Sequence, residues 1–67
     1  MKRSYILTGY ICRTWTETSA DGWASRSVTF KTENEANAYG RDHNRGLQDN
    51  ELSREYEIIK DYKEVIE

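Results

Sequence analysis

Sixty-seven residues with ten Lys/Arg, twelve Asp/Glu and a formal charge of −2 leave room for one small core and give no blanket attraction to nucleic acid. Cys12 is the only cysteine, which excludes an internal disulfide and a cysteine zinc cluster. Small secreted domains usually need such staples, so a reducing cytoplasm is the expected compartment.

The longest apolar stretches, Tyr5-Ile6-Leu7 and Tyr10-Ile11-Cys12, are interrupted by Thr8 and Gly9. Neither a membrane span nor a secretory signal is expected from them. Charge is distributed unevenly. Residues 1–45 hold seven basic and five acidic side chains, and residues 46–67 hold three and seven. The chain therefore reads as a mildly basic body with an acidic C-terminal segment. Five Tyr, two Trp and one Phe, with no proline and no low-complexity stretch, mark a folded single domain over residues 1–67.

The first half predicts a β-hairpin. Ser4 to Thr18 and Trp23 to Lys31 are rich in β-branched and aromatic residues, and Asp21-Gly22 between them suits a tight turn. With those two as the loop, Trp15 faces Val28, Arg13 faces Phe30 and Glu17 faces Arg26. The other side then collects Thr14, Thr16, Thr18, Ser25, Ser27 and Thr29 as a hydroxyl face. A loop of odd length would scramble this division. Gly9 interrupts the long first strand, where a bulge would change the side its residues face.

Thr32-Glu33-Asn34-Glu35 has the spacing of a capping box. A helix is expected from about Glu33 to Arg45, with acids in its first turn and Arg45 in its last. Gly46 suits a left-handed cap. Gly40 costs about 1 kcal/mol relative to alanine inside a helix, which predicts close approach to the sheet there. Leu47 to Ser53 reads as a polar connection. The segment Arg54–Glu67 is dense in aromatic and β-branched residues and is read as a strand. It places Tyr56, Ile58 and Tyr62 on one side, with Ile59 and Val65 on the other. The expected fold is α+β, ββαβ, a three-stranded sheet with one helix on one face; ββαα is the alternative.

No catalytic, cofactor or metal site is expected. His43 follows Asp42, the pairing a general base needs, yet there is no serine elbow, second histidine or placed cysteine. The acids form no EF-hand loop, and the glycines at 9, 22, 40 and 46 are too scattered for a phosphate loop. Cys12 reads as a small strand residue, with Lys31 the one cation a cross-strand approach would bring to it.

Arg3, Arg13, Arg26 and Lys31, interleaved with Tyr10, Trp15 and Trp23, are the side-chain types that nucleic-acid-reading sheets use. Gly22-Trp23-Ala24, Thr29-Phe30-Lys31-Thr32, Glu35-Ala36 and Tyr39 resemble the strand–helix junction of AP2-type and integrase arm-binding domains. In those families a three-stranded sheet reads DNA while one helix backs it. This chain departs from them in having two strands before its helix and an acidic tail.

Trp15 and Phe30 are expected in the core beneath the helix, whereas Trp23 at the hairpin tip is a candidate contact anchor. The expected function is non-enzymatic binding through a protein interface formed by Trp23, Thr14, Thr16, Ser25, Ser27, Glu55 and Glu57. The partner is another protein or a second copy of the chain. Size and composition associate such chains with accessory and inhibitor proteins of phages and mobile elements. A nucleic-acid-binding sheet is the alternative.

Overall fold

The computed structural model describes residues 2–66. β1 (Arg3–Thr18) and β2 (Gly22–Phe30) form the hairpin, α1 (Glu33–Arg45) follows, and β3 (Glu51–Ile66) returns along the other side of β1. The sheet is antiparallel throughout, in the order β2-β1-β3. This is the expected ββαβ order, and it excludes the two-helix alternative. The terminal strand begins at Glu51 rather than Arg54, which shortens the connection after the helix. Glu67, the last residue of the segment read as a strand, lies outside the described residues.

The hairpin register differs from the expected one. Tyr10 pairs with Phe30, Cys12 with Val28, Thr14 with Arg26, Trp15 with Ser25 and Glu17 with Trp23. Thr18 pairs with Gly22, so the loop is Ser19-Ala20-Asp21, with three residues rather than two. Thr18 closes it by accepting the Asp21 N–H at 3.1 Å through its hydroxyl, and Gly22 supplies the positive φ of 69°. An odd loop reverses the facing of one strand relative to the other. Trp15 therefore lies on the side away from Val28 and Phe30, and the six hydroxyl residues do not share a face.

Three observations place α1. The Phe30 and Tyr39 rings lie 5.3 Å apart, tilted by 47°, Thr16 Oγ1 is 3.0 Å from His43 Nε2, and the Tyr56 ring lies against Gly40. With strand alternation, the helix side holds Tyr10, Cys12, Thr14 and Thr16 of β1, Ala24 to Phe30 at even numbers of β2, and Arg54, Tyr56 and Ile58 of β3. Cys12 and Ala36 are the fully buried apolar residues among those described. Burial raises the Cys12 thiol pKa above its usual value, which leaves it a poor nucleophile.

Local chemistry fixes both helix ends. Thr32 caps the first, its hydroxyl accepting the Glu35 N–H at 3.2 Å and donating to Glu35 Oε1 at 2.9 Å. At the other end Gly46 is not left-handed as expected; its φ is −86°. Its lack of a side chain instead admits Arg54, since a Cβ there would stand 2.8 Å from Arg54 Nη1. That same nitrogen donates to the His43 carbonyl at 2.6 Å, satisfying a helix-end acceptor and setting a cation at the negative end of the dipole. The Arg54 guanidinium also grips the Glu51 carboxylate, with Nε to Oε1 and Nη2 to Oε2 at 3.0 Å each.

A bulge divides β1. Leu7 pairs with Tyr62 and Gly9 with Asp61, leaving Thr8 as the extra residue, its hydroxyl donating to the Asp61 carbonyl at 3.3 Å. The expected change of facing near Gly9 thus occurs: Arg3, Tyr5 and Leu7 lie on the helix side before the bulge, and even-numbered residues after it. Gly9 is required there, because a Cβ would stand 2.7 Å from the Phe30 carbonyl oxygen.

Gly40 confirms the expected close approach, and it sets a test. Gly40→Ala gains about 1 kcal/mol of helix propensity but drives a methyl into the Tyr56 ring, an overpacking that costs about 1–3 kcal/mol. The variant should unfold at lower urea than the wild type; a rise in midpoint would show that the helix stands further from β3. A second test concerns Glu51. Burial pushes its carboxyl pKa up, but the Gln48 N–H, the Arg54 guanidinium and charge on His43 outweigh this and hold it below the usual glutamate value. A depressed carboxyl stabilises the fold above its unfolded pKa and loses that contribution as pH falls through its folded pKa. Glu51→Gln should therefore melt below the wild type at neutral pH, with the gap closing as pH falls below the ordinary glutamate range. A gap independent of pH would contradict the ionic role.

Candidate protein-binding face

No described element covers the sheet face opposite α1, the usual solvent side of an antiparallel sheet. It carries Ile11, Arg13, Trp15 and Glu17 from β1, Trp23, Ser25, Ser27 and Thr29 from β2, and Ser53, Glu55, Glu57 and Ile59 from β3. The three strands present these in rows. Trp15 stands between Ser25 and Glu55, and Arg13 between Ser27 and Glu57. The Arg13 guanidinium carbon lies 6.0 Å from the Trp15 ring centroid, at the limit of a cation–π contact. Arg13 stands opposite Glu57 in the ladder.

Toward the hairpin tip, Glu17 stands between Trp23 and Ser53, with the Ser53 hydroxyl donating to Glu17 Oε1 at 3.5 Å. Trp23 is 49% exposed. By register it stands diagonal to the half-buried Trp15 on the neighbouring strand, two residues along the ladder. Carboxylates at Glu17, Glu55 and Glu57 outnumber the one cation, Arg13, along these rows. The face is an aromatic strip with an acidic flank.

Five of the seven residues expected to bind a partner come together here: Trp23, Ser25, Ser27, Glu55 and Glu57. Thr14 and Thr16 do not, because the three-residue loop turns them toward α1. Thr14 is 4% exposed and its hydroxyl donates to the Arg26 carbonyl at 3.3 Å. Thr16 meets His43 as described. Trp15 and Arg13 are the members that sequence pairing misplaced. The available signal was Thr18, a hydroxyl residue three before Asp21, which suits a turn closed by a side-chain oxygen.

On the helix side, Thr14, Thr16, Arg26, Tyr39 and His43 border an open cleft of about 210 Å³ between α1 and β2. His43 Nδ1 lies 3.3 Å from Asn44 Oδ1, and Asp42 pairs with Arg45 at 3.8 Å rather than with the imidazole. Both ring nitrogens thus have protein partners, Thr16 and Asn44, and neither is Asp42. Among the described residues no three His, Cys, Asp or Glu side chains converge as metal ligands would, and no helix is long and apolar enough to cross a membrane.

The basic side chains are dispersed. Arg13 lies on the open face, Arg26 on the helix side, and Arg3 pairs with Glu64 at 3.4 Å far along the sheet. No family model matches the chain, and no curated protein or solved structure matches it either.

Proposed function

We propose that this protein is a non-enzymatic binding module, an accessory or inhibitory protein of the cytoplasm, whose open sheet face docks on another protein. The observation that carries the reading is the exposed Trp23 beside Trp15 on a sheet face that no described element covers. Tryptophan is strongly enriched among residues that dominate interface energetics, and an uncovered aromatic strip is a surface kept for a partner. The acidic flank at Glu17, Glu55 and Glu57 suits a partner whose contact surface is basic. Such complementarity speeds and orients association more than it tightens it.

The alternative, a sheet that reads nucleic acid, requires cations on one face to meet phosphates. Arg13 and Arg26 stand on opposite faces, and the carboxylates on the open face oppose phosphate. The dispersion of charge favours the protein partner.

Trp23→Ala should leave the urea midpoint nearly unchanged, since the ring is half in water, and weaken capture of the partner by about tenfold or more. Charge reversal at Glu55 and Glu57 should slow association with a smaller effect on dissociation. Affinity capture with and without nuclease, followed by binding kinetics on the purified partner, measures both. Retention on immobilised DNA that falls steeply with salt and is lost in Arg13→Ala would replace this reading with the nucleic-acid one.

A further inference from the structure

β2 ends at Phe30, opposite Tyr10, and α1 spans the rows from Phe30 to Thr16. Beyond the Thr8 bulge the molecule is a bare two-stranded ribbon, Arg3–Leu7 of β1 paired with Tyr62–Ile66 of β3. Two-stranded ribbons without a packed face are marginal in water.

Because Thr8 bulges, the helix side of this arm carries Arg3, Tyr5 and Leu7 opposite Ile66, Glu64 and Tyr62. Its apolar members are exposed: Tyr5 by 65%, Leu7 by 43%, Tyr62 by 51% and Ile66 by 60%. Four of the chain's largest exposed apolar side chains thus form one contiguous strip, continuing the surface on which α1 packs.

We infer that a second copy of this chain covers the strip, the two arms packing face to face about a two-fold axis. Three observations select that occupant. The first is area. The chain exposes 5231 Å², whereas a compact monomer of this mass exposes about 4,400 Å². The surplus, to which the arm and the open sheet face both contribute, is of the order of the roughly 800 Å² that each partner contributes to a stable interface.

The second is shape. The radius of gyration is 15.4 Å, against about 11 Å for a compact chain of this length. The excess lies along the axis on which the arm extends.

The third is charge. The strip carries one cation and one anion, Arg3 and Glu64, already 3.4 Å apart. A face with no net charge does not repel its own copy, and the two-fold allows each Arg3 to meet either Glu64. An acidic or basic partner would find nothing to select it. Packed sheets stand about 10 Å apart, close to the diameter of a helix. The incoming arm therefore occupies the layer of α1, abutting its N-terminal end.

The interface is separate from the Trp23 face, so the two readings stand or fall independently. Sedimentation equilibrium on the full chain should give twice the 7.9 kDa monomer mass. Leu7→Glu combined with Tyr62→Lys should weaken the dimer by about tenfold or more, while Leu52→Glu, at a comparably exposed site, should not. If the double variant fails to fold, mixed labelled and unlabelled wild-type chains answer the same question. Intermolecular nuclear Overhauser effects should then join Tyr5, Leu7, Tyr62 and Ile66. A monomer at NMR concentrations overturns the inference. So does a dimer whose intermolecular contacts lie only along the β1 backbone edge, or only at Trp23.

Discussion

A helix of thirteen residues rises about 20 Å, whereas paired strands of sixteen residues run to about 53 Å. In this molecule α1 has thirteen residues, β1 and β3 have sixteen each, and the longest axis measures 53 Å. That mismatch governs the rest. The one helix closes a core only over the rows from Tyr10 to Thr16, where Cys12 and Ala36 reach full burial. Everything beyond is sheet without a second layer. The short covered region is correspondingly tight, with Tyr56 seated against Gly40 and the Phe30 carbonyl against Gly9. Arg54 ties the helix end to β3 through the His43 carbonyl and the Glu51 carboxylate.

One sheet thereby presents two uncovered surfaces of different character. The open face is aromatic and acidic, with Trp15 and Trp23 among Glu17, Glu55 and Glu57. The arm's helix side is aromatic and aliphatic with a self-neutralised ion pair. The Thr8 bulge separates them. Without it the odd-numbered residues of β1 would keep to one face, and Tyr5 and Leu7 would lie on the open side with Trp15. The extra residue sends them to the helix side, where they meet Tyr62 and Ile66 across the ladder. A small-domain chain with so little fully buried apolar area gains stability from any subunit that covers more of it.

What was legible in the sequence was local. The cap at Thr32 depends on residues within one turn, and the bounds of α1 match those read from spacing. The density of β-branched and aromatic residues from Tyr56 to Val65 identified β3, and their alternation gave its two sides. The bulge near Gly9 and the contact at Gly40 followed from glycines standing where a strand and a helix disfavour them. The hairpin register was not legible, because one residue of loop length reverses every facing. Asp21-Gly22 is a strong signal for a two-residue turn, but here Asp21 closes the loop by donating its N–H to Thr18 and Gly22 opens β2. That single residue carried Trp15 out of the core and brought Thr14 and Thr16 beneath the helix. Gly46 was misread for a related reason. Its neighbour in space, Arg54, comes from β3, and no local pattern announces it. The arm required knowledge of where β2 stops relative to β3, which is a property of pairing rather than of either segment.

The separation of the two sheet faces is the claim on which both surfaces rest, and aromatic nuclear Overhauser effects in solution test it directly. Phe30 ring protons should show contacts to Tyr39, and Trp15 ring protons to the Arg13 side chain, with none between Trp15 and Phe30. Strong Trp15 contacts to Phe30 or Val28 would restore the two-residue turn, return Trp15 to the helix side, and contradict the account.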